Sequence, residues 1–265
     1  MPPAKKRTRS YDPARTRAAV LAQFENVRAA VRTLTPEQLA LPTRLGDWTV
    51  RDLVAHLALT AGSVGRALER DAPAKPDLAL PDYAFATATH AGAVAEGSRD
   101  LAGATPDLDA LLTRTGQDLA RHLADAPPTR VLATRAGAMT LTDLLVTRAV
   151  ELAVHTDDLN AAVPGLDVPH DRQALAACTR MLADTLAAKA PGGSTEVRIP
   201  PYAVVQCVQG PRHTRGTPPN VVETDPLTWL RLATGRTTWQ DAVAGGTVGA
   251  SGERADLGPY LPLMT

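Results

Sequence analysis

The sequence has few aromatic side chains and no excess of charge, and both shortages exclude classes of protein. Aromatic residues make up 3% of the 265 residues, which leaves few rings to stack on nucleobases or sugars. Lysine and arginine total 28, and aspartate and glutamate also total 28. Because no net charge attracts phosphates, we expect no nucleic-acid partner.

Cysteines and long hydrophobic runs are also scarce. No stretch approaches the roughly 18 uncharged apolar residues of a membrane helix, so we expect no membrane span. Cys178 and Cys207 are too few for a disulfide scaffold, and their apolar neighbours predict reduced core thiols. These features are typical of a cytoplasmic protein. The strong preference for arginine over lysine and the abundant alanine favour a high-GC bacterial genome, such as that of an actinobacterium.

The residue pattern divides the chain into three parts. Residues 1–10 include the basic run KKRTR, which indicates a disordered basic tail more than a nucleic-acid anchor. Residues 11–165 carry apolar side chains at spacings of three and four, which predicts a helical bundle domain with helices that include 83–101 and 106–124. Residues 166–265 begin with a helix and continue with four short β-rich runs, TEVRIP, AVVQCVQG, VVET and TVGASG.

This order of elements predicts an α+β protein, with a helical bundle followed by a small α+β domain. No heptad seam is visible, so we expect a monomer.

A glutamate and a histidine lie inside one apolar helical run, RAVELAVHTDDLN. Glu151 and His155 are four residues apart, so they face the same side of a helix and can reach one ion. Two structural alternatives need no metal: a hydrogen bond between the pair, or an ion pair of Glu151 with Arg148. His56 lies in a second apolar helix, where a lone histidine is more often a hydrogen-bonded core residue. If both helices share a bundle, the three side chains can form a single site.

The segments WTVRDLVAHLA and AVELAVHTDDL resemble the N-terminal domain of mycothiol-dependent maleylpyruvate isomerases, within the DinB-like metalloenzymes. The resemblance covers roughly residues 11–162 and implies an up-down four-helix bundle. It also implies that His56, Glu151 and His155 bind a divalent metal, usually zinc.

Segments near the C-terminus, including RIPPYAVVQCVQG and SGERADLGPYLPL, resemble a bacterial sterol-carrier-like domain. That resemblance implies a tunnel for apolar ligands. Two alternatives to an enzyme therefore stay open: a carrier of lipid or another hydrophobic ligand with a non-catalytic metal site, and a non-catalytic scaffolding protein.

The isomerase resemblance implies thiol chemistry. Two imidazoles and one carboxylate leave zinc an open position, where the thiol of mycothiol would bind and ionise. Addition of the thiolate to an electrophilic small molecule would lead to cis–trans isomerisation or to a stable conjugate. A protease of the H-E-x-x-H type is excluded, because Leu57 follows His56.

An isomerase of this kind needs a cation for the substrate carboxylates. The candidates in the second domain are Arg212, Arg215, Arg231, Arg236 and Arg254, most of which we expect to be solvated surface residues. The loop GPRHTRGTPPN makes Arg212 and Arg215, on either side of His213, the candidate cofactor-binding pair.

Two aspartates follow the second helical histidine directly. Asp157 and Asp158 can orient the imidazole of His155, although we expect Asp157 to be solvated.

Overall fold

The protein combines a helical N-terminal part with a small C-terminal sheet, as a computed structural model that describes residues 9–86, 88–211 and 218–264 shows. The α+β class is therefore confirmed. In the described residues the α-helices are α1 (Pro13–Val31), α2 (Pro36–Leu39), α3 (Val50–Leu68), α4 (Leu80–Ala86), α5 (Ala91–Ala104), α6 (Leu108–Ala124), α7 (Leu141–Ala162), α8 (Arg172–Lys189), α9 (Pro226–Ala233) and α10 (Trp239–Ala244). The strands are β1 (Val131–Ala133), β2 (Ala138–Thr140), β3 (Thr195–Ile199), β4 (Ala203–Cys207), β5 (Val221–Thr224) and β6 (Val248–Ser251).

The four long helices α1, α3, α6 and α7 form the bundle. Helices α1 and α3 each pack against α6 and α7, while α5 covers a further side of α3. The apolar spacing of the sequence explains this packing, because Leu53, Leu57 and Val64 point from one side of α3 into the core and are fully buried. No helix among the described residues is long and apolar enough to cross a membrane.

The two helices that carry the candidate ligands begin in the same way. The side chain of Thr49 accepts a hydrogen bond from the backbone N–H of Asp52 at the start of α3. At the start of α7, Thr140 accepts one from the N–H of Asp143. Each threonine satisfies an unpaired helical N–H group and so fixes where the helix begins. This capping sets the register that brings His56, Glu151 and His155 to their positions.

The region between α3 and α7 differs from the expectation. The single helix expected over 83–101 is wrong: α4 is followed by a short 3-10 helix, Ala88–His90, and then by α5. The segment before α7 forms an antiparallel hairpin in which Leu132 pairs with Met139, and both side chains are buried. Strands of three residues are too short to give a recognisable alternation in the sequence.

The C-terminal sheet has the strand order β4-β3-β5-β6, in which only the β3 and β5 pair is parallel. Val197 on the central strand β3 lies opposite Val205 on β4 and Val222 on β5, and all three side chains are buried. The four expected strands are therefore confirmed.

Helix α8 joins the two parts of the chain. It packs against α1, α4 and α7 on one side and against β4 and α9 on the other. Cys178 of α8 and Cys207 of β4 are both buried and are not joined in a disulfide, which agrees with the expected core thiols. Of the expected basic tail, residues 1–8 lie outside the described residues, and Arg9 forms an ion pair of 2.9 Å with Asp184 of α8.

Candidate metal centre

Two bundle helices bring the three candidate ligands together. His56 lies two turns into α3, whereas Glu151 and His155 are one turn apart near the middle of α7. Nε2 of His56 is 3.2 Å from Oε2 of Glu151, and Nε2 of His155 is 3.5 Å from the same oxygen. One ligand atom from each residue lies within 4.8 Å of the other two. The helix packing thus joins residues that are 95 positions apart in the chain.

Both imidazoles are anchored through their other ring nitrogen. Nδ1 of His56 is 3.3 Å from Oγ of Ser98 on α5, and Oγ of Ser98 itself donates to the carbonyl of Val94. Nδ1 of His155 is 2.8 Å from Oδ2 of Asp158. Because each Nδ1 has its own partner, both Nε2 atoms are directed at Glu151: a protonated Nε2 donates to that carboxylate, and a deprotonated Nε2 would offer its lone pair to a metal ion.

The protonation of the three groups follows from burial and from these hydrogen bonds. Burial would raise the pKa of Glu151, but its hydrogen bonds to the two histidines hold that pKa well below the usual value. Burial lowers the pKa of His56. In His155, burial acts in the same direction, yet the bonds to Asp158 and Glu151 raise its pKa overall. A buried carboxylate therefore stays ionised between two imidazoles.

The three side chains line a cavity of about 580 Å³ between the bundle and the C-terminal segment. Its apolar wall includes Leu59, Val94, Leu144 and Val150. The C-terminal segment contributes Thr234, Arg236 and Met264. Most of the wall is apolar, with the candidate ligands as a local polar cluster, which is the usual composition of a small-molecule site.

Arg148 lies one turn before Glu151 and is also part of the cavity wall. Its guanidinium is buried, donates to the hydroxyls of Tyr83 and Thr147, and has no carboxylate of the described residues within 4 Å. The alternative in which Arg148 forms an ion pair with Glu151 is therefore wrong. The alternative hydrogen bond between Glu151 and His155 is present, but it is part of the three-residue cluster.

The expectation that Asp157 is solvated is wrong. Asp157 and Asp158 are both buried, and the guanidinium of Arg44 contacts both carboxylates. Arg231 of α9 pairs with Asp157 at 2.6 Å, and Arg236 pairs with Asp158 at 2.9 Å. Arg236 is therefore not a solvated surface residue, whereas the side chain of Arg231 stays 43% exposed although it forms an ion pair. The cause is tertiary, because these ion pairs join α7 to residues more than 70 positions later in the chain.

The other arginine candidates do not reach the cavity in the described residues. Arg254 is exposed, and its backbone N–H donates to Oδ1 of Asn220 beside the sheet. Arg212, His213 and Arg215 lie outside the described residues.

Two further residues at the site, Ser98 and Arg148, are not predicted as site residues from the sequence. Ser98 gives no local signal, because a serine within a helix is common. Arg148 does give a signal, because an arginine inside an apolar helical run indicates a buried polar group.

Comparison with known proteins gives consistent family and fold relationships. Residues 20–160 match the family model of the mycothiol maleylpyruvate isomerase N-terminal domain. Residues 171–263 match the model described as bacterial SCP ortholog. No curated protein matches the chain significantly.

Two solved structures share the fold. A crystal structure of the mycothiol-dependent maleylpyruvate isomerase aligns with a TM-score of 0.59, and a histidine-to-alanine mutant of that enzyme aligns with 0.60. In both cases the sequence identity is 15%, and the alignment covers 93% of this chain and 95% of the other. Because the N-terminal model matches more than half of the sequence, this chain belongs to the mycothiol maleylpyruvate isomerase N-terminal domain family.

Proposed function

We propose that this protein is a metal-dependent enzyme that uses a thiol cofactor, mycothiol, to isomerise or conjugate an electrophilic small molecule. One observation carries the proposal: His56, Glu151 and His155 converge from two helices at the wall of a cavity. Within the described residues they are the one group of three or more metal-ligating side chains close enough to share an ion. Three protein ligands beside open space are typical of a catalytic metal site, whereas structural zinc sites have four.

The residues fit a divalent metal, with zinc as the expected ion. Two neutral imidazoles and one carboxylate are suitable ligands for zinc, and also for iron in enzymes with this donor set. The ring anchors Ser98 and Asp158 hold the histidines in the tautomer that exposes Nε2. A divalent metal bound there would lower the pKa of a coordinated thiol and so supply a thiolate near neutral pH.

The surrounding residues support such a reaction. The carboxylate of Asp158 stays ionised because hydrogen bonds to His155 and Arg236 lower its pKa despite burial. It therefore remains an acceptor for the ring N–H of His155 across the physiological pH range. The buried guanidinium of Arg148 adds a positive charge one turn from Glu151, which favours an anionic reacting group in the cavity.

Mycothiol is proposed as the thiol because the matched family model and both similar structures carry mycothiol in their descriptions. The electrophile is a small molecule that fits the cavity. Maleylpyruvate is the first compound to test.

The test is a turnover assay with zinc-loaded protein, mycothiol and either maleylpyruvate or the fluorogenic electrophile monochlorobimane. We expect a rate above the uncatalysed reaction that is lost after chelation, restored by zinc and absent in His56→Ala. His122→Ala is a matched control, because His122 also pairs with a glutamate, Glu69, at 3.0 Å but has no third ligand. Zinc-loaded protein that accelerates neither reaction would contradict the proposal.

A further inference from the structure

A second group of charged residues lines the same cavity away from the candidate metal centre. Arg66 lies near the end of α3, Arg70 follows the end of that helix, and Arg135 lies in the turn of the β1 and β2 hairpin. The backbones of Arg66 and Arg70 are roughly three to four helical turns beyond His56. The hairpin leads directly into the start of α7, whereas Glu151 lies near the middle of that helix.

These three arginines lack counter-charges. No carboxylate of the described residues lies within 4 Å of any of their guanidinium groups. Glu69 is nearby, but its carboxylate accepts a hydrogen bond from His122. The neighbouring positive charges of Arg70 and Arg135 add to the loss of hydration in lowering the pKa of Arg66. Arg66 therefore lies near both of the other cations, and all three line the same cavity.

The position of Arg66 is fixed by its neighbours. Its Nη2 atom donates a hydrogen bond of 2.9 Å to the carbonyl of Leu59, about two helical turns earlier, and Leu59 also lines the cavity. The side chain passes over Gly62, where an added Cβ would lie 3.0 Å from Nη1. The glycine thus leaves room for the guanidinium along α3. Arg66, Arg70 and Arg135 are all exposed, so their charged groups can be reached from solvent at this end of the cavity.

The charged side chains that line the whole cavity are mostly positive. Its described lining includes Arg66, Arg70, Arg135, Arg148 and Arg236 but only one carboxylate, that of Glu151. Arg236 is neutralised by Asp158 behind the wall. In a protein with a formal net charge of zero, this local excess of positive charge selects for anions.

We propose that Arg66, Arg70 and Arg135 form an anion-recognition site at the end of the cavity opposite His56, Glu151 and His155. The ligand is then an extended small molecule with an apolar body and a carboxylate or phosphate group at its far end. Guanidinium groups suit both headgroups because they donate two parallel hydrogen bonds. The proposal extends the proposed function by giving the class of substrate, but its binding test needs neither metal nor thiol.

The test compares two fluorescent probes with the same apolar body. 8-Anilinonaphthalene-1-sulfonate carries an anionic group, and N-phenyl-1-naphthylamine lacks it. We expect the parent protein to bind the anionic probe more tightly, and the triple variant Arg66→Gln, Arg70→Gln, Arg135→Gln to bind it about tenfold more weakly, as the loss of three exposed ion pairs implies. Binding of the neutral probe stays unchanged in that variant.

Three controls make the result specific. The triple arginine-to-lysine variant keeps the charge and should retain the preference for the anionic probe. Arg114→Gln removes an exposed arginine of α6 that does not line the cavity, and it should change neither affinity. Val94→Trp fills the cavity and should weaken the binding of both probes.

Displacement of the anionic probe by hexanoate or by hexyl phosphate identifies the preferred headgroup, and displacement by either compound supports the proposal. The proposal is overturned if the triple glutamine variant keeps full affinity for the sulfonate, if Val94→Trp leaves that affinity intact, or if neither compound displaces the probe. An inactive enzyme with intact selective binding would refute the proposed function alone.

Discussion

His56 on α3 and Glu151 on α7 meet with 3.2 Å between Nε2 and Oε2, and each belongs to a different capped helix of the bundle. The contact is partly buried, and Nε2 of His155 lies 3.5 Å from the same carboxylate oxygen. An ionised carboxylate shared by two imidazoles costs desolvation energy unless a cation joins them. This relationship leads to predictions about the residues around the site.

Ser98→Ala should weaken metal binding without unfolding the protein. The hydroxyl of Ser98 is the partner of Nδ1 of His56, so its loss frees the ring to change its tautomer or orientation. Loss of such a supporting hydrogen bond lowers metal affinity by about tenfold or more. Competition between the protein and a chromophoric zinc chelator measures the change.

Ser63→Ala provides the control for this experiment. Ser63 also lines the cavity from α3, but its hydroxyl donates to the carbonyl of Thr60 and contacts no candidate ligand. Equal zinc affinities of the Ser98 variant and the Ser63 variant would contradict the supporting role of Ser98.

Arg148→Met should change stability little while it reduces activity. The buried guanidinium has no carboxylate within 4 Å among the described residues, so methionine removes an uncompensated charge at little cost. We expect a loss below about 1.5 kcal/mol in urea unfolding. Arg236→Met is the matched comparison, because it leaves the buried Asp158 without one of its partners and should cost more. A larger loss of stability in Arg148→Met than in Arg236→Met would contradict this account of Arg148.

Asp157→Asn should lower the free energy of unfolding at neutral pH by about 2 kcal/mol. This loss is smaller than for a fully buried ion pair, because the side chain of Arg231 is 43% exposed. Burial would raise the pKa of Asp157, but the hydrogen bonds to Arg231 and Arg44 hold it below the ordinary value of an aspartate. A carboxyl with a lowered folded-state pKa stabilises the protein above its unfolded pKa, and this contribution disappears as the pH falls through the folded value.

The difference in unfolding free energy between parent and Asp157→Asn should therefore be constant above about pH 5 and shrink below pH 4. Urea unfolding at a series of pH values measures it. A difference that persists unchanged at pH 3, while both proteins remain folded, would show that Asp157 acts through packing instead of charge.

The sequence was sufficient to predict the features that depend on local pattern. The spacing of Glu151 and His155 within one helix is local, and so are the β-rich runs that form the four C-terminal strands. The assignment of His56 to the same site as Glu151 and His155 came from the resemblance to a family more than from any physical rule. The carrier hypothesis and the domain boundary near residue 165 stay predictions.

The features that the sequence did not reveal depend on tertiary contacts. The sequence does not show that Asp157 is buried, because its partner Arg231 lies 74 positions later, on α9, which packs against α8. Ser98 is in the same situation, because only the packing of α5 on α3 brings it to His56. Charge pairing over such distances follows from the packing of whole elements, which one sequence does not specify.

The central claim is that His56, Glu151 and His155 bind one metal ion together. Elemental mass spectrometry of protein purified without an affinity tag tests it most directly, alongside His56→Ala, Glu151→Ala and the control His122→Ala. We predict close to one zinc per chain in the parent and the control, and loss of the metal in both ligand variants while circular dichroism shows an intact helical fold. A folded parent protein that contains no metal and takes up none during zinc titration would contradict the account.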